Sequence, residues 1–190
     1  LLITMKFLKL YQVIIVLYAL YFSLSSFAQT SDYISWKTNY DKGVELVEKD
    51  SLIGSLSDLI YAKNIAQKLF KNTSDDYIIS LEKLALVYNS LGQESKALTL
   101  YLESIEISKL KKTDKGLKFA ETLKTLYSIY IKLKNNDEAV KAREYANQVI
   151  KEFYGENDIN YIHDLSYLTI IYSDLSLYNK GLKNQKQVLK

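Results

Sequence analysis

A set of large apolar residues recurs at one fixed spacing through the second half of this chain. Each set occupies positions i, i+3, i+7 and i+10, a spacing that places all four residues on one side of an α-helix. The sets are Leu81, Leu84, Tyr88 and Leu91; Leu123, Leu126, Tyr130 and Leu133; and Leu165, Leu168, Tyr172 and Leu175. The step from 81 to 123 and from 123 to 165 is 42 residues. A fixed period of this length predicts a stack of repeated units instead of one closed core.

A second helix is predicted after each apolar set. It begins near a small residue, Ala97, Ala139 or Gly181, whose size lets two helix backbones approach closely. Only short connections separate the two helices of a unit, which favours antiparallel neighbours. The chain has no Pro and only six Gly residues, so it lacks the turn residues that separate the strands of a β-fold. The predicted fold is therefore all-α, an α-solenoid of antiparallel helical hairpins.

The motif Leu-x-x-Leu-Ala-x-x-Tyr-x-x-x-Gly at residues 81–92 resembles the tetratricopeptide repeat (TPR). The 42-residue step is similar to the longer variety of this repeat, found in kinesin-light-chain-like arrays. The resemblance implies a TPR-like superhelix with three repeats. These repeats are 77–118, 119–160 and a truncated 161–190. Lys134 and Ser176 stand at the position of Gly92 in the second and third repeats. The turns of these two repeats therefore depart from the family pattern.

Residues 29–76 do not follow the 42-residue register. Trp36, Tyr40, Val44 and Val47 nevertheless have helical spacing, and a second amphipathic segment follows them. The end of a repeat array must meet water, so its terminal unit is expected to be atypical. We interpret 29–76 as a degenerate or capping helical hairpin, which ends in a connection at 71–76 where Ser74 or Asp75 caps the next helix.

The first 28 residues have the features of a leader and signal peptide. A short basic start at Met5 precedes an apolar run, and Ser26-Phe27-Ala28 places small residues at a cleavage site before Gln29. We expect an exported protein, periplasmic or extracellular. The alternative is an uncleaved inner-membrane anchor, because residues 10–31 carry no charge and about 20 apolar residues span a bilayer. A Gln after the cleavage site also resembles signal peptides of Bacteroidota.

The composition argues against several classes of function. There is no Cys, and His163 is the only histidine, so thiolate or His-rich metal sites and Ser-His-Asp or Cys-His catalysis lack their residues. The whole chain has 25 basic and 22 acidic residues, and the loss of Lys6 and Lys9 with the leader would leave 23 and 22. A nucleic-acid partner would require a more basic surface. We predict a protein that is not an enzyme, with no catalytic residue, metal or cofactor.

The first helices of successive units are expected to line a concave face, and this face is the candidate binding site. The predicted groove residues are Ile79, Glu82, Leu86, Asn89, Glu121, Lys124, Ser128, Ile131, His163, Ser166, Tyr167 and Ile170. Family members that grip a terminal carboxylate place Lys, Arg and Asn at fixed groove positions. Here those positions hold Glu82, Leu86, Thr125, His163 and Tyr167, so an extended peptide or a partner helix fits better. The other interpretation is a solvated face, or one covered by a neighbouring domain.

Two functions follow from this arrangement. The first is an exported scaffold that binds a protein or peptide partner in the groove and meets a membrane only through an uncleaved signal. The alternative is the sensory or regulatory ectodomain of a longer signalling protein, a sensor kinase or caspase-like peptidase, whose effector domain lies outside this chain. Because the sequence given stops within a predicted helix, self-association through the open C-terminal repeat is also expected.

Overall fold

The structure, a computed structural model, describes residues 2–70 and 74–188. Over these two ranges it contains eight α-helices and no strand. Leu1, residues 71–73 and residues 189–190 lie outside the described part, and so do the corresponding pieces of the predicted leader, connection and last repeat. The helices are α1 (Leu2–Glu48), α2 (Leu52–Phe70), α3 (Asp75–Ser90), α4 (Glu94–Leu110), α5 (Leu117–Lys132), α6 (Asn136–Tyr154), α7 (Ile159–Asp174) and α8 (Tyr178–Val188).

The helices pack as hairpins that follow one another along the chain. The pairs α1/α2, α3/α4, α5/α6 and α7/α8 are in contact, and each second helix also contacts the first helix of the next pair. Beyond these neighbours, α1 also touches α3. The prediction of an all-α solenoid of antiparallel hairpins is confirmed. The first helix of each repeat begins two residues before the boundary predicted from sequence, at 75, 117 and 159.

The apolar stripe of each first helix forms the core. Its leucines at the first two stripe positions are at most 3% exposed: Leu81, Leu84, Leu123, Leu126, Leu165 and Leu168. Tyr172 is buried as well, and its hydroxyl donates a hydrogen bond to Glu144 Oε1 at 2.7 Å. Tyr88 and Tyr130 are only half-buried. A phenol buries its ring readily but its hydroxyl needs water or a partner, so the tyrosine position of the stripe varies in burial.

The small residues lie where the two helices of a unit meet. Ala97 and Ala139 are fully buried, and Gly181 is buried at the equivalent place. A Cβ added to Gly181 would lie 3.7 Å from Cβ of Tyr172, which is an ordinary packing distance. Close approach of the backbones therefore requires a small side chain at this position and accepts alanine.

Each first helix of a repeat ends in the same left-handed turn. Gly92, Lys134 and Ser176 have φ of 69°, 58° and 60°. In each case the next backbone N–H donates to the carbonyl five residues back, as from Gln93 to Tyr88 at 2.8 Å and from Asn135 to Tyr130 at 2.9 Å. This is the Schellman arrangement, which satisfies carbonyls that a helix end would otherwise leave without partners. The loss of glycine in the later repeats therefore leaves the turn geometry unchanged.

The N-terminal hairpin packs against the first repeat. Trp36 is 2% exposed in a cluster with Ala62, Ala66 and Tyr77, and its Nε1 donates to Ser80 Oγ at 3.0 Å. At the start of α3 the Ser74 hydroxyl accepts from the Tyr77 backbone N–H at 3.0 Å, so Ser74 is the N-cap. The N-terminal hairpin therefore packs directly on the first helix of the first repeat.

The helix α1 is continuous from the apolar N-terminal run into this hairpin. Among the described residues it contains one stretch, Ile14–Glu48, that is long and apolar enough to cross a membrane by length and composition. The described apolar side chains of this run are exposed, including Tyr18, Phe22 and Leu24. They contribute nothing to the core of the solenoid.

The left-handed backbone conformation of Lys134 allows the turn geometry to be tested. A residue with a Cβ costs about 1–2 kcal/mol in this conformation, whereas glycine adopts it freely. We expect Lys134→Gly to raise the free energy of unfolding by about 0.5–1 kcal/mol after the greater flexibility of unfolded glycine is subtracted. Gly92→Ala, which meets no atom within 4 Å, should lower it. Denaturant titrations of both variants measure the change, and a destabilised Lys134→Gly protein would contradict the turn assignment.

Candidate functional site

The first helices α3, α5 and α7 present two depressions along one face. One of about 340 Å³ lies between α3 and α5, and one of about 320 Å³ lies between α5 and α7. The α3–α5 depression is lined by Tyr40, Ile79, Glu82, Lys83, Leu86, Tyr101, Lys118, Glu121, Thr122 and Thr125. The α5–α7 depression is lined by Lys124, Tyr127, Ser128, Arg143, His163, Asp164 and Tyr167. Because α5 contributes to both, the depressions are successive parts of one face.

Glu82 organises the α3–α5 depression. Its carboxylate accepts a hydrogen bond from Thr122 Oγ1 at 3.1 Å and pairs with Lys118 Nζ at 3.1 Å, so it ties α3 to α5. Burial, and next the charge of Glu82, raise the pKa of Tyr101 to about 12. The Tyr101 phenol therefore remains protonated at neutral pH. Ile79 and Leu86 complete the lining with apolar surface, and Leu86 is 38% exposed.

A buried ion pair forms the floor of the α5–α7 depression. Arg143 of α6 and Asp164 of α7 are 2% and 7% exposed. Nη1 and Nη2 of Arg143 donate to the two carboxylate oxygens of Asp164 at 2.9 and 2.7 Å, and Asn147 Nδ2 donates to the same carboxylate at 2.9 Å. Lys124 Nζ of α5 lies 3.3 Å from it. A bidentate pair of this kind fixes position as well as charge.

The charge state of Asp164 follows from these contacts. Burial acts to raise the pKa of this carboxyl, but the hydrogen bonds from Arg143 and Asn147 and the charges of Arg143 and Lys124 outweigh it. The net effect lowers the pKa of Asp164 below its usual value of 3.8. The Asp164 carboxyl is therefore ionised at neutral pH. The guanidinium carbon of Arg143 also lies 5.3 Å from the ring centre of Tyr167, which holds that exposed ring over the charge.

The structure places most of the twelve predicted groove residues on these depressions. Eight of them line one depression or the other: Ile79, Glu82, Leu86, Glu121, Lys124, Ser128, His163 and Tyr167. Four do not line either one. Asn89 accepts from Lys132 Nζ at 3.1 Å, Ser166 donates to the backbone of Ile162 at 2.8 Å, Ile131 is half-buried and Ile170 is exposed.

Several lining residues lie outside the predicted set. They are Tyr40 of α1, Lys83 of α3, Tyr101 of α4, Lys118, Thr122, Thr125 and Tyr127 of α5, Arg143 of α6 and Asp164 of α7. A sequence signal for the ion pair was present: Arg143 and Asn147 stand where the preceding unit has Tyr101 and Ile105, so polar residues replace core residues at one repeat position. Asp164 likewise stands at the register of Ser80 and Thr122. Among the described residues, no group of three His, Cys, Asp or Glu side chains is arranged to hold a metal.

The sequence matches no protein family and no curated protein. Solved structures do match. The nearly identical TPR-like repeats assigned to a kinesin light chain of Podosopora anserina share 14% identity over 80% of this chain and 72% of that chain, with a TM-score of 0.65. A TPR protein from Parabacteroides merdae shares 17% identity over 82% of this chain and 52% of that chain, with a TM-score of 0.59. MamA shares 15% identity over 81% and 76%, with a TM-score of 0.58. At such identities the likeness shows the fold, which is TPR-like.

The ion pair gives a stability prediction with a defined pH dependence. Asp164→Asn leaves Arg143 buried without its counter-charge, so we expect a loss of about 3–5 kcal/mol in the free energy of unfolding at neutral pH. The folded-state pKa of Asp164 is lowered, so its contribution is present above the unfolded value and is lost as pH falls through the folded value. Wild type should therefore weaken below about pH 4, and the variant should weaken less over that range.

Denaturant titrations across this pH range make the comparison. Asp174→Asn, at an exposed carboxyl of the same helix, is the control and should retain the wild-type profile. An Asp164→Asn protein as stable as the control at neutral pH would show that the pair contributes nothing to the packing of α6 on α7.

Proposed function

We propose that this protein is a non-enzymatic interaction scaffold that binds an extended peptide or a partner helix along the first-helix face. The observation that carries the proposal is the alignment of two depressions from successive repeats on that face. Beside them lie exposed apolar and aromatic side chains, since Tyr167 is 51% and Ile170 is 56% exposed. Apolar anchors flanked by hydrogen-bonding groups are the usual energetic centre of a protein interface.

The charges on this face favour such a partner over one held by its terminal carboxylate. Lys124 lies 2.9 Å from Glu121 and 3.3 Å from Asp164, and Lys118 pairs with Glu82. To bind Lys118 or Lys124, a ligand carboxylate would have to displace the glutamate and aspartate side chains that already pair with these lysines. Tyrosine hydroxyls and rings, in contrast, are available for contact at low entropic cost, and the pair behind Tyr167 already restrains its ring.

The comparisons support the scaffold proposal at the level of the fold. The matching structures are described as TPR or TPR-like proteins, and stacked hairpins of this kind form extended concave surfaces. We also propose that the repeats belong to the longer kinesin-light-chain-like variety, on the basis of the 42-residue step, and that the source is a Bacteroidota-like bacterium, on the basis of Gln29.

We further propose that the protein is exported, with residues 1–28 as a cleaved leader and signal peptide or residues 10–31 as a retained anchor. The apolar, charge-free stretch of α1 supports export in both forms. Expressed from Met5 in a bacterial host, the protein should be found outside the cytoplasm. Intact mass distinguishes a product that begins at Gln29 from one that keeps residues 5–28. A cytoplasmic, unprocessed product would contradict export.

A second proposal is that the array is the ectodomain of a longer signalling protein. The long apolar stretch of α1 favours this role, because it is suited to anchor the array at a membrane. The last helix adds a surface for self-association or for further repeats, since Tyr178 and Leu182 of α8 are 62% and 57% exposed.

Paired substitutions test the scaffold proposal. A partner is first captured from the native source by cross-linking and then titrated against variants. We expect Leu86→Ala/Tyr167→Ala to weaken binding at least about tenfold, since truncation of interface anchors commonly costs more than 1 kcal/mol each. Lys141→Ala, an exposed change on α6, is the control and should bind as wild type does. If the double variant binds normally and Lys141→Ala abolishes binding, the site is on the outer face.

A further inference from the structure

The hairpin architecture gives the solenoid two opposite edges. The turns inside each repeat form one edge, which we call the turn edge and which includes Gly92, Lys134 and Ser176. The connections between repeats, taken with their flanking helix ends as residues 109–118 and 151–159, form the other, which we call the linker edge together with the end of α2 and the start of α3. Lys111 of the first connection pairs with Asp75 at the start of α3, which joins these parts of the linker edge.

The apolar part of α1 leaves the fold at the linker edge. Lys42 Nζ of α1 lies 3.0 Å from Asp58 Oδ1 of α2, so these residues are level in an antiparallel pair. Because both helices rise equally per residue, Phe70 at the end of α2 is level with about residue 30 of α1. The contact of Trp36 with Ser80, near the start of α3, agrees with this register. Residues before about 30 therefore extend beyond the linker edge.

That projecting segment is suited to a lipid bilayer. Residues 10–31 contain no charged side chain, and the described ones are exposed, with Tyr18 at 75%, Phe22 at 71% and Leu24 at 67%. About 20 apolar residues in a helix cross the hydrocarbon core. With this segment in a bilayer, the continuous helix α1 brings the linker edge, and not the turn edge, to the membrane surface.

The part of the linker edge next to α1 has the chemistry of a membrane contact. The segment 109–118 has five lysines and one acid; Lys111 and Lys118 pair with Asp75 and Glu82, and Lys109, Lys112 and Lys115 are exposed. Its two leucines are also exposed, Leu110 at 72% and Leu117 at 37%. Basic side chains beside exposed apolar ones are attracted to an anionic lipid surface. The connection 151–159, one repeat farther along, has one lysine and three acids. The basic character is therefore concentrated on the side closer to α1.

This inference rests on the retained-anchor form of the proposed function. We propose that the segment 109–118 binds the anionic phospholipid headgroups of the bilayer that holds α1. Two independent features converge there: the direction in which α1 leaves the hairpin and the basic, apolar composition of the connection. The contact fixes the orientation of the solenoid on the membrane and leaves the turn edge pointing into water. The first-helix face, which runs between the two edges, remains open to a partner.

The absence of cysteine from the chain permits a direct test with single spin labels. Lys112→Cys and Lys134→Cys are matched sites, since both are lysines in left-handed backbone, with φ of 57° and 58°, at opposite edges. The full chain, labelled at one site, is placed in nanodiscs of phosphatidylcholine with or without phosphatidylglycerol. Collision with lipid-soluble oxygen and with a water-soluble nickel chelate is then measured for each label.

We expect the label at 112 to be shielded from nickel severalfold more than the label at 134, and only when phosphatidylglycerol is present. Lys115→Glu should reduce this shielding, whereas Lys96→Glu, an exposed lysine of α4, should not. High salt should also reduce it, because it screens exposed charges. Equal nickel access at the two sites, or shielding at 112 that does not depend on phosphatidylglycerol, would overturn the proposal.

Discussion

Each first helix of this protein has an apolar stripe that only its hairpin partner and the neighbouring units can cover. Leu126 illustrates the constraint: it is 2% exposed in a cluster with Ala97 and Ile105 of the preceding repeat and with Leu165 of the next. The stack, the shared face and its two depressions all depend on this coverage. Stability is therefore set by contacts between neighbours along the chain, as expected for a solenoid.

One boundary between apolar clusters of the described core coincides with the floor of the α5–α7 depression. The main cluster ends with Tyr161 and Leu165, and Val140, Leu168 and Tyr172 form a separate cluster beyond it. Between them the Arg143–Asp164 pair joins α6 to α7. A directional ion pair costs more to bury than an apolar contact, but it fixes the register of the two helices and the position of the ring above it.

The periodicity of the sequence was sufficient to predict the hairpins, the stripe and eight of the seventeen residues that line the two depressions, because these depend on helical spacing alone. It could not place Arg143 and Asp164 together, since they lie on different helices and their pairing depends on how the hairpins cross. Tyr40 was missed for the same reason: it reaches the face from α1, outside the repeat register. The turns at Lys134 and Ser176 keep their geometry without glycine, and the same backbone hydrogen bond closes each helix end, from Asn135 to Tyr130 and from Leu177 to Tyr172.

The free energy of unfolding of the Leu126→Ala variant tests the stacked-repeat structure most directly. If coverage by neighbouring hairpins holds the solenoid together, this change should lower the free energy of unfolding by about 2–5 kcal/mol in a denaturant titration. Leu133→Ala is the matched control, because Leu133 ends the same stripe but is 39% exposed, and its loss should be much smaller. A Leu126→Ala protein as stable as wild type, or no more affected than Leu133→Ala, would contradict the stacked-repeat structure.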